Sequence, residues 1–218
     1  MPGGNITYEN IGPNTFVVTL TVFEDCGTAF MGNTAQTVMV SNSCGLSSPH
    51  INLPNVVFQD EVSQLCLQMI GQSECNGGGF PGVYMHVWRD TITLPGGCDS
   101  WVFAWDGCCR NNSVNSPGAS NNYYWETVLN SVTAPSNSSP VITSQPIPYN
   151  CNNQPVIYNF GVYEPDGDSL HYSLISAMTG PNGNIPYNAG YSGASPINGI
   201  NINPVTGEIT FTPTVLGN

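Results

Sequence analysis

The sequence predicts an all-β fold built from β-sandwiches, and three observations support this prediction. Short runs rich in β-branched and aromatic residues recur along the chain, as in the alternating segment Phe16–Phe23. Clusters of Gly, Pro and Asn, such as Pro95-Gly96-Gly97, separate these runs. Apolar residues do not recur at helical spacing for more than about two turns, and Glu61–Ile70 is the one candidate for a short helix.

Strands are predicted on both sides of a polar segment near the middle of the chain. The predicted strands before it are Ile6–Asn10, Thr15–Phe23, Thr37–Val40, Val83–Trp88, Thr91–Leu94, Ser100–Trp105 and Tyr123–Leu129. The predicted strands after it are Val156–Tyr163, Ser169–Ser176, Ile197–Ile202 and Glu208–Thr212. The segment between the two sets, Ala134–Pro140, is a Pro-bracketed run of Ser and Asn and is predicted to be a linker.

The chain is longer than a usual single domain, so two domains are expected. We place a cysteine-rich domain at residues 1–137 and a smaller one at 138–218, with Cys151 as a candidate for a bridge back to the first. The start at Met1-Pro2 lacks the features of a signal peptide, and the end at Leu216–Asn218 falls where a last strand is expected. We therefore expect a fragment of a longer protein, with its C-terminal strand truncated.

The charge balance excludes several kinds of partner. Lys is absent, and two Arg stand against 14 acidic residues, for a net charge of −12. Nucleic acids and anionic lipid headgroups are bound through basic surfaces, which this composition does not supply. No apolar run approaches the roughly 18 residues of a membrane span. We expect no nucleic-acid partner and no direct membrane insertion.

The cysteines predict disulfides and an oxidising compartment. An even number of them lies scattered among loops and strand ends, without the CxxC spacing and the nearby His of a zinc site. Spacing favours a local pair of Cys66 with Cys75 and a pair of Cys26 with Cys44. Neighbouring residues on a strand face opposite sides, so Cys108 and Cys109 are expected to have different partners. The eight candidates are Cys26, Cys44, Cys66, Cys75, Cys98, Cys108, Cys109 and Cys151.

A tight turn in the second half is the candidate metal site. Asp166 and Asp168 flank Gly167, and Glu164 precedes them by two residues. Carboxylate oxygens grouped in this way suit Ca²⁺, which takes six to eight oxygen ligands, and Asn150 or backbone carbonyls could complete the shell. The alternative is an ordinary β-turn whose Asp side chains bond local amides.

The residues around this turn also resemble a known repeat. The segment Glu164–Leu174, read with Ile202–Pro213, is similar to the "DPDGDxLxYSL … xPxTGxIxFTP" pattern of cadherin-like, dystroglycan-type repeats of bacterial surface proteins. The resemblance implies an immunoglobulin fold for the last third of the chain. Glu164 stands where those repeats usually have Asp.

The first half resembles a second group of proteins. The segments Gly3–Tyr8, Thr21–Cys26 ("TVFEDC") and Cys98–Asn112 ("CDSWVFAWDGCCRNN") are similar to N-terminal regions of large secreted proteins of Bacteroidetes. Those proteins end in gliding-motility-associated sorting domains, and the repeat follows in the same order. The resemblance implies type IX secretion and an extracellular or cell-surface location. Together the two resemblances imply two tandem immunoglobulin-like β-sandwich domains, stabilised by disulfides.

Two strands place aromatic residues on one face. Trp101, Phe103 and Trp105 alternate on one strand, and Tyr84, His86 and Trp88 alternate on another. An exposed face of this kind would suit stacking on sugar rings, which makes Tyr84, Trp88, Trp101 and Trp105 candidate ligand-binding residues. The alternative is that these faces form the sandwich core.

We predict a binding protein without catalysis. The sequence lacks GxSxG, HExxH, P-loop and GxGxxG motifs, and the cysteines fit bridges better than nucleophiles. The first hypothesis is an adhesion module of a larger secreted protein, which binds a protein or glycan on a surface. The second is a subunit or stalk of an extracellular filament, with neighbouring subunits as partners. The third is a carbohydrate-binding appendage of a secreted hydrolase.

Overall fold

The computed structural model describes residues 3–27, 31–108, 110, 113–117, 121–146 and 149–216. Strands hold 42 % of the residues and helices 3 %, which confirms the predicted all-β class. Two 3₁₀ turns lie at Ile70–Gln72 and Glu74–Asn76. In the described part of the chain, no helix is long and apolar enough to span a membrane.

Except for β4, the strands of the first 129 residues are longer than those that follow. They are β1 (Gly3–Gly12), β2 (Thr15–Asp25), β3 (Gln36–Asn42), β4 (Ile51–Leu53), β5 (Asn55–Glu61), β6 (Val83–Thr93), β7 (Trp101–Gly107) and β8 (Tyr123–Leu129). The later strands are β9 (Val141–Ile142), β10 (Val156–Tyr158), β11 (Val162–Tyr163), β12 (Met178–Gly180), β13 (Gly183–Asn184), β14 (Asn201–Ile202) and β15 (Ile209–Phe211).

The chain divides into two compact units that interleave in sequence. The first unit holds residues 1–105 and 125–139, and the second holds 106–124 and 140–218. The chain therefore passes from the first unit to the second, returns, and passes over again. The single boundary at 137/138 expected from the sequence assigns the segment 106–124 to the first domain. In the structure this segment packs with the second unit.

Two four-stranded sheets form the core of the first unit. One has the order β1-β2-β6-β5 and the other the order β4-β3-β7-β8. Strand β2 pairs antiparallel with β1 on one side and with β6 on the other, over nearly its full length. Its alternate residues Phe16, Val18, Leu20 and Val22 are fully buried, as expected of a strand with one face in a core.

The inner faces of the two sheets meet through aromatic rings. The ring of Tyr8 on β1 lies 5.8 Å, centroid to centroid, from the ring of Phe103 on β7. Trp88 and Trp101, one from each sheet, have no exposed surface. Aromatic pairs at this separation contribute beyond the area they bury, so these rings add to the packing of one sheet on the other.

The free edge of β1 is covered by the segment that the sequence predicts as a linker. The N–H of Ser139 donates to the carbonyl of Tyr8 (2.8 Å), and the N–H of Tyr8 donates to Oγ of Ser139 (2.8 Å). Oγ of Ser138 accepts from the N–H of Asn10 (3.2 Å). Both serines are buried. The end of the segment predicted as a linker therefore packs against β1 and closes a sheet edge that would otherwise present unpaired backbone groups.

The second unit is built from short strands. Strands β10, β15 and β14 form a three-stranded antiparallel sheet, and β9 with β11 and β12 with β13 form two-stranded ones. The segment 106–124 is bonded to the rest of this unit. Asn115 Nδ2 donates to the carbonyl of Pro196 (2.8 Å), and Oγ of Ser116 donates to that of Pro186 (3.0 Å).

Arg110 is the charged anchor of the segment 106–124. Its Nε donates to the carbonyl of Asn122 (2.9 Å), and Nη2 donates to the carbonyl of Met178 (3.2 Å). The guanidinium carbon lies 4.4 Å from the centroid of the Tyr123 ring. This half-buried side chain thereby joins the segment to β12. A smaller side chain lacks the several guanidinium donors and could not make both hydrogen bonds.

Five predicted strands differ from the structure. Ile197–Ile202 is one of them, since only Asn201 and Ile202 form a strand, β14. Val83–Trp88 and Thr91–Leu94 are one strand, β6, because Arg89 and Asp90 continue the pairing with β2. The strand predicted at Val156–Tyr163 is divided into β10 and β11, with a positive φ of 59° at Gly161 between them.

The strand predicted at Ser169–Ser176 does not form. The N–H of Tyr172 donates to the carbonyl of Pro204 (3.0 Å), but proline has no N–H to return a bond and continue a ladder.

The helix predicted at Glu61–Ile70 is also wrong. Glu61 ends β5, and the chain then runs irregularly to the 3₁₀ turns beyond Met69. Leu67 is 85 % exposed, so the apolar residues of this stretch do not share a buried face that would support a helix.

We predict that Arg110→Ala lowers the free energy of unfolding by about 1–3 kcal/mol, since two hydrogen bonds from a charged donor and a cation–π contact are lost. Arg89→Ala is the matched control, because it removes the same charge from an exposed side chain that has one described bond, to Oγ1 of Thr19. Urea unfolding measures both. Equal losses for the two variants would contradict the anchoring role.

Candidate functional site

The acidic turn of the second unit has the geometry of a hydrogen-bonded turn. Oε2 of Glu164 accepts the backbone N–H of Asp168 (2.7 Å), and Gly167 has φ of 84°, in the region that favours glycine. Asp166 and Asp168 are exposed. Among the described residues, the three carboxylates do not form a group whose oxygens all lie within 4.8 Å of one another. A calcium ion here would have to draw these side chains together.

The structure places the candidate aromatic residues mainly inside the first unit. Trp88 and Trp101 are fully buried and Trp105 is 3 % exposed, while Tyr84 is half-buried. Indole N–H groups are satisfied internally: Nε1 of Trp101 donates to the carbonyl of Gly96 (3.1 Å) and Nε1 of Trp105 to Oε1 of Gln36 (3.1 Å). The three indoles occupy the core, which was the alternative interpretation, and present no stacking platform to solvent.

Trp125 is the aromatic residue beside this cluster that sequence reasoning missed. Its ring stacks on that of Trp105, with centroids 5.0 Å apart and an interplanar angle of 20°. A Cβ at Gly4 on β1 would clash with this ring. Gly4 is therefore needed where the edge strands β1 and β8 approach each other.

A buried acid–base pair lies on the inner face of the first sheet. Oε2 of Glu24 is 2.7 Å from Nε2 of His86, and the two side chains are 1 % and 0 % exposed. The imidazole stacks on the Trp88 ring (centroids 5.6 Å, 16°) and meets the Phe58 ring edge-on (5.2 Å). Such a pair is costly to bury unless its members bond each other, which these do.

The bonding pattern sets the form of the imidazole. Oε1 of Glu24 accepts the N–H of Met31 (2.9 Å), so both carboxylate oxygens act as acceptors. An ionised carboxylate offers acceptor sites only, so Nε2 carries the hydrogen of this bond. Because burial lowers the pKa of His86, we assign the ring as neutral, with Nδ1 unprotonated. Nδ1 is buried and has no hydrogen-bond partner among the described residues. Burial lowers the pKa of His86, and the hydrogen bond and charge of Glu24 oppose that shift without cancelling it.

The pair also holds the crossover from the first sheet to the second. Met31 lies on the path from β2 to β3 and is bonded to Glu24. Three residues later, the carbonyl of Thr34 accepts Nε1–H of Trp88 (2.8 Å), the ring stacked on His86. Glu24, His86 and Trp88 therefore fix the crossover at two points.

The disulfide pairs predicted from spacing are wrong. Cys26 pairs with Cys75 and Cys44 with Cys98, while Cys66 and Cys151 are free and exposed. Cys26 follows the end of β2 and Cys75 lies in the second 3₁₀ turn, so the bridge joins a strand end to a distant loop rather than closing either predicted local loop. Cys108 is disulfide-bonded, and Cys109 lies outside the described residues. Both described bridges fit an oxidising compartment.

Polar side chains secure the base of the loop that Cys75 tethers. Glu61 accepts from Oγ of Ser63 (2.8 Å) and Nδ2 of Asn76 (2.7 Å). Burial alone would raise the pKa of Glu61, but the hydrogen bonds from Ser73, Ser63 and Asn76 outweigh burial and hold it below its ordinary value. Asp99 lies beside the Cys44–Cys98 bridge, and since both sulfurs are in the disulfide they are not free to bind a metal.

Sequence reasoning identified some of these residues without the relation between them. Alternation puts His86 on one strand face with Tyr84 and Trp88, but it does not connect Glu24 to it. The signal was available: Glu24 continues the alternation of Phe16, Val18, Leu20 and Val22, which puts a carboxylate in a buried register.

Comparison with known proteins gave no identification. No protein-family model, curated protein or solved structure matches this chain.

We predict that replacing Cys26 and Cys75 together by Ser lowers the free energy of unfolding by about 4 kcal/mol, on the chain-entropy estimate for a bridge between residues 49 apart. Cys66→Ser is the control and is expected to change stability little, since this thiol is free and exposed. Chemical unfolding measures both. A comparable loss from Cys66→Ser would point back to the pairing of Cys66 with Cys75.

Proposed function

We propose that this chain is an extracellular adhesion module of a larger secreted protein, made of two immunoglobulin-like β-sandwich domains, and that it binds a protein surface without catalysis. The observation that carries the proposal is the apolar surface of the second unit. Ile157, Tyr163, Ile175 and Val205 are each at least 60 % exposed. Exposed apolar side chains mark a contact site where they lie together as one patch, and we propose that these four do so.

The rest of the molecule agrees with this role. Disulfides stabilise the first unit in an oxidising setting, as expected outside the cell. His86, the histidine nearest to a carboxylate, is enclosed with Glu24 away from solvent, where it cannot reach a substrate. The resemblance to secreted Bacteroidetes proteins and cadherin-like repeats supports the location and the domain type.

A filament subunit is the second candidate. The three-stranded sheet of the second unit has β10 and β14 as its edge strands, and Ile157 on β10 is exposed. An edge strand can pair with a strand of a neighbouring copy. The carbohydrate-binding appendage is less well supported, because Trp88, Trp101 and Trp105 lie in the core.

We also propose that this adhesion module binds a calcium ion through Glu164, Asp166 and Asp168. The three carboxylates lie on one short turn, Asp166 and Asp168 exposed and Glu164 half-buried. A bound cation would neutralise them and stiffen the second unit. The bond from the Asp168 N–H to Glu164 would then compete with the metal for that carboxylate.

We predict that Ile157→Ser combined with Val205→Ser reduces retention on protein-coated surfaces, since two exposed apolar side chains of the second unit are removed without a change of charge. Val56→Ser is the matched control, because Val56 is similarly exposed (53 %) but lies in the first unit. Sedimentation of the same samples is the second readout. Assembly that rises with concentration and is lost in the double variant would favour the filament subunit, and equal retention of all variants would contradict both.

We also predict that excess Ca²⁺ raises the melting temperature by several degrees relative to EDTA, since a ligand at about 100 times its Kd adds about 2.7 kcal/mol to the folded state. Asp166→Asn with Asp168→Asn is expected to abolish the rise. Asp60→Asn with Asp90→Asn removes the same charge from the first unit and should leave the calcium-induced rise in melting temperature unchanged. Calorimetry that shows no rise in the unaltered chain would establish the turn as a purely hydrogen-bonded one.

A further inference from the structure

We propose that Glu24, His86 and the crossover at Met31–Thr34 form an acid-sensitive latch, which holds the chain where it passes from the first sheet to the second and loosens when the buried pair takes up a proton. The geometry carries this inference. The carboxylate bonds the imidazole on one side and the Met31 amide on the other, so one group links a titratable ring to the backbone of the crossover.

A proton added to the pair has no good position. On Nδ1 it creates an N–H that lacks an acceptor among the described residues, in a site enclosed by the Phe58 and Trp88 rings. A proton on Glu24 converts a carboxylate that accepts two hydrogen bonds into a carboxylic acid, whose O–H needs an acceptor of its own. Either position costs free energy in a buried site, and moving the Glu24 side chain to relieve it breaks the bond to Met31.

The surrounding titratable groups do not remove this cost. Tyr84 on β6 faces the imidazole with ring centroids 6.5 Å apart. On β5, Phe58 supplies an apolar ring, Asp60 is exposed, and Glu61 is occupied by Ser63 and Asn76. Next to Glu24 on β2, Asp25 accepts the N–H of Gly27. Glu24 is thus the one described acidic side chain bonded to the ring.

The sign of the pH dependence follows from the neutral ring. The unfolded or opened chain binds a proton at His86 below about pH 6.5, whereas burial keeps the pKa of the folded imidazole below that value. The latch is therefore fully closed above about pH 6.5 and weakens as the pH falls. With one proton taken up on opening, the opening equilibrium increases by up to about tenfold per pH unit. Glu61, also with a lowered pKa, acts in a separate window below 4.5.

The test is amide hydrogen exchange of the full chain between pH 7.5 and 5, corrected for intrinsic rates. The protection of the Met31 amide is expected to fall by up to about tenfold per pH unit below about pH 6.5. The Leu20 amide lies within the β1-β2-β6 ladder and is expected to keep its protection over the same range. Equal loss at both amides would mean general acid unfolding, and constant protection at Met31 would mean no latch; each result overturns the proposal.

Three variants separate His86 from the other histidines. Glu24→Gln with His86→Phe keeps an acceptor for Met31 and removes the titration, so protection should become independent of pH. His171→Gln, at an exposed position, should behave as the unaltered chain. His50 needs its own control, because its Nδ1 accepts the Val40 N–H (3.1 Å); loss of the pH dependence in His50→Gln would overturn the assignment to His86.

A measurement on the unaltered chain covers the case in which the double variant fails to fold. The ring ¹⁵N shifts of His86 should show a neutral Nε2–H tautomer at pH 7, and ring protonation should accompany the loss of Met31 protection. An imidazolium already present at pH 7 would refute the latch.

Discussion

The register of β2 is the constraint on which the rest of the first unit depends. This strand pairs on both sides, and its pleat sends every second side chain into the core. The register that buries Phe16, Val18, Leu20 and Val22 also buries Glu24, since a strand cannot turn one side chain outward without a bulge. A buried carboxylate requires a partner, and the diagonal position on β6 supplies His86. The aromatic stack and the fixed crossover follow from that one alternation.

The sequence predicted the features of the fold that depend on local alternation and on composition. The all-β class and the positions of β1, β2, β7 and β8 came from period-two patterns, and the boundaries agreed to within a few residues. Disulfide pairing could not be predicted, because Cys26 and Cys75 are brought together by the return of the chain at β6 rather than by local spacing. The same limit applies to Glu24 and His86, whose contact depends on the pairing of β2 with β6.

The second unit shows where motif reading reaches its limit. The turn at Glu164–Asp168 forms as a turn, but the strand predicted after it from the same motif does not, and its one described backbone bond to a neighbouring segment goes to Pro204, which cannot donate in return. The aromatic strands illustrate the converse problem. Alternation showed which rings share a face, and only the packing of two sheets could decide that Trp88 and Trp101 face inward. Exposure, which decides binding, depends on tertiary packing and not on local pattern.

The interleaving of the two units has a consequence for how such a protein can diversify. Most tandem β modules can be exchanged as cassettes, since each is one continuous stretch of chain. Here the segment 106–124 lies inside the first unit's sequence yet belongs to the second, and Arg110 binds it there. Recombination at the junction near residue 139 would transfer the second unit without its segment 106–124. We therefore expect the two units to be inherited together rather than exchanged separately.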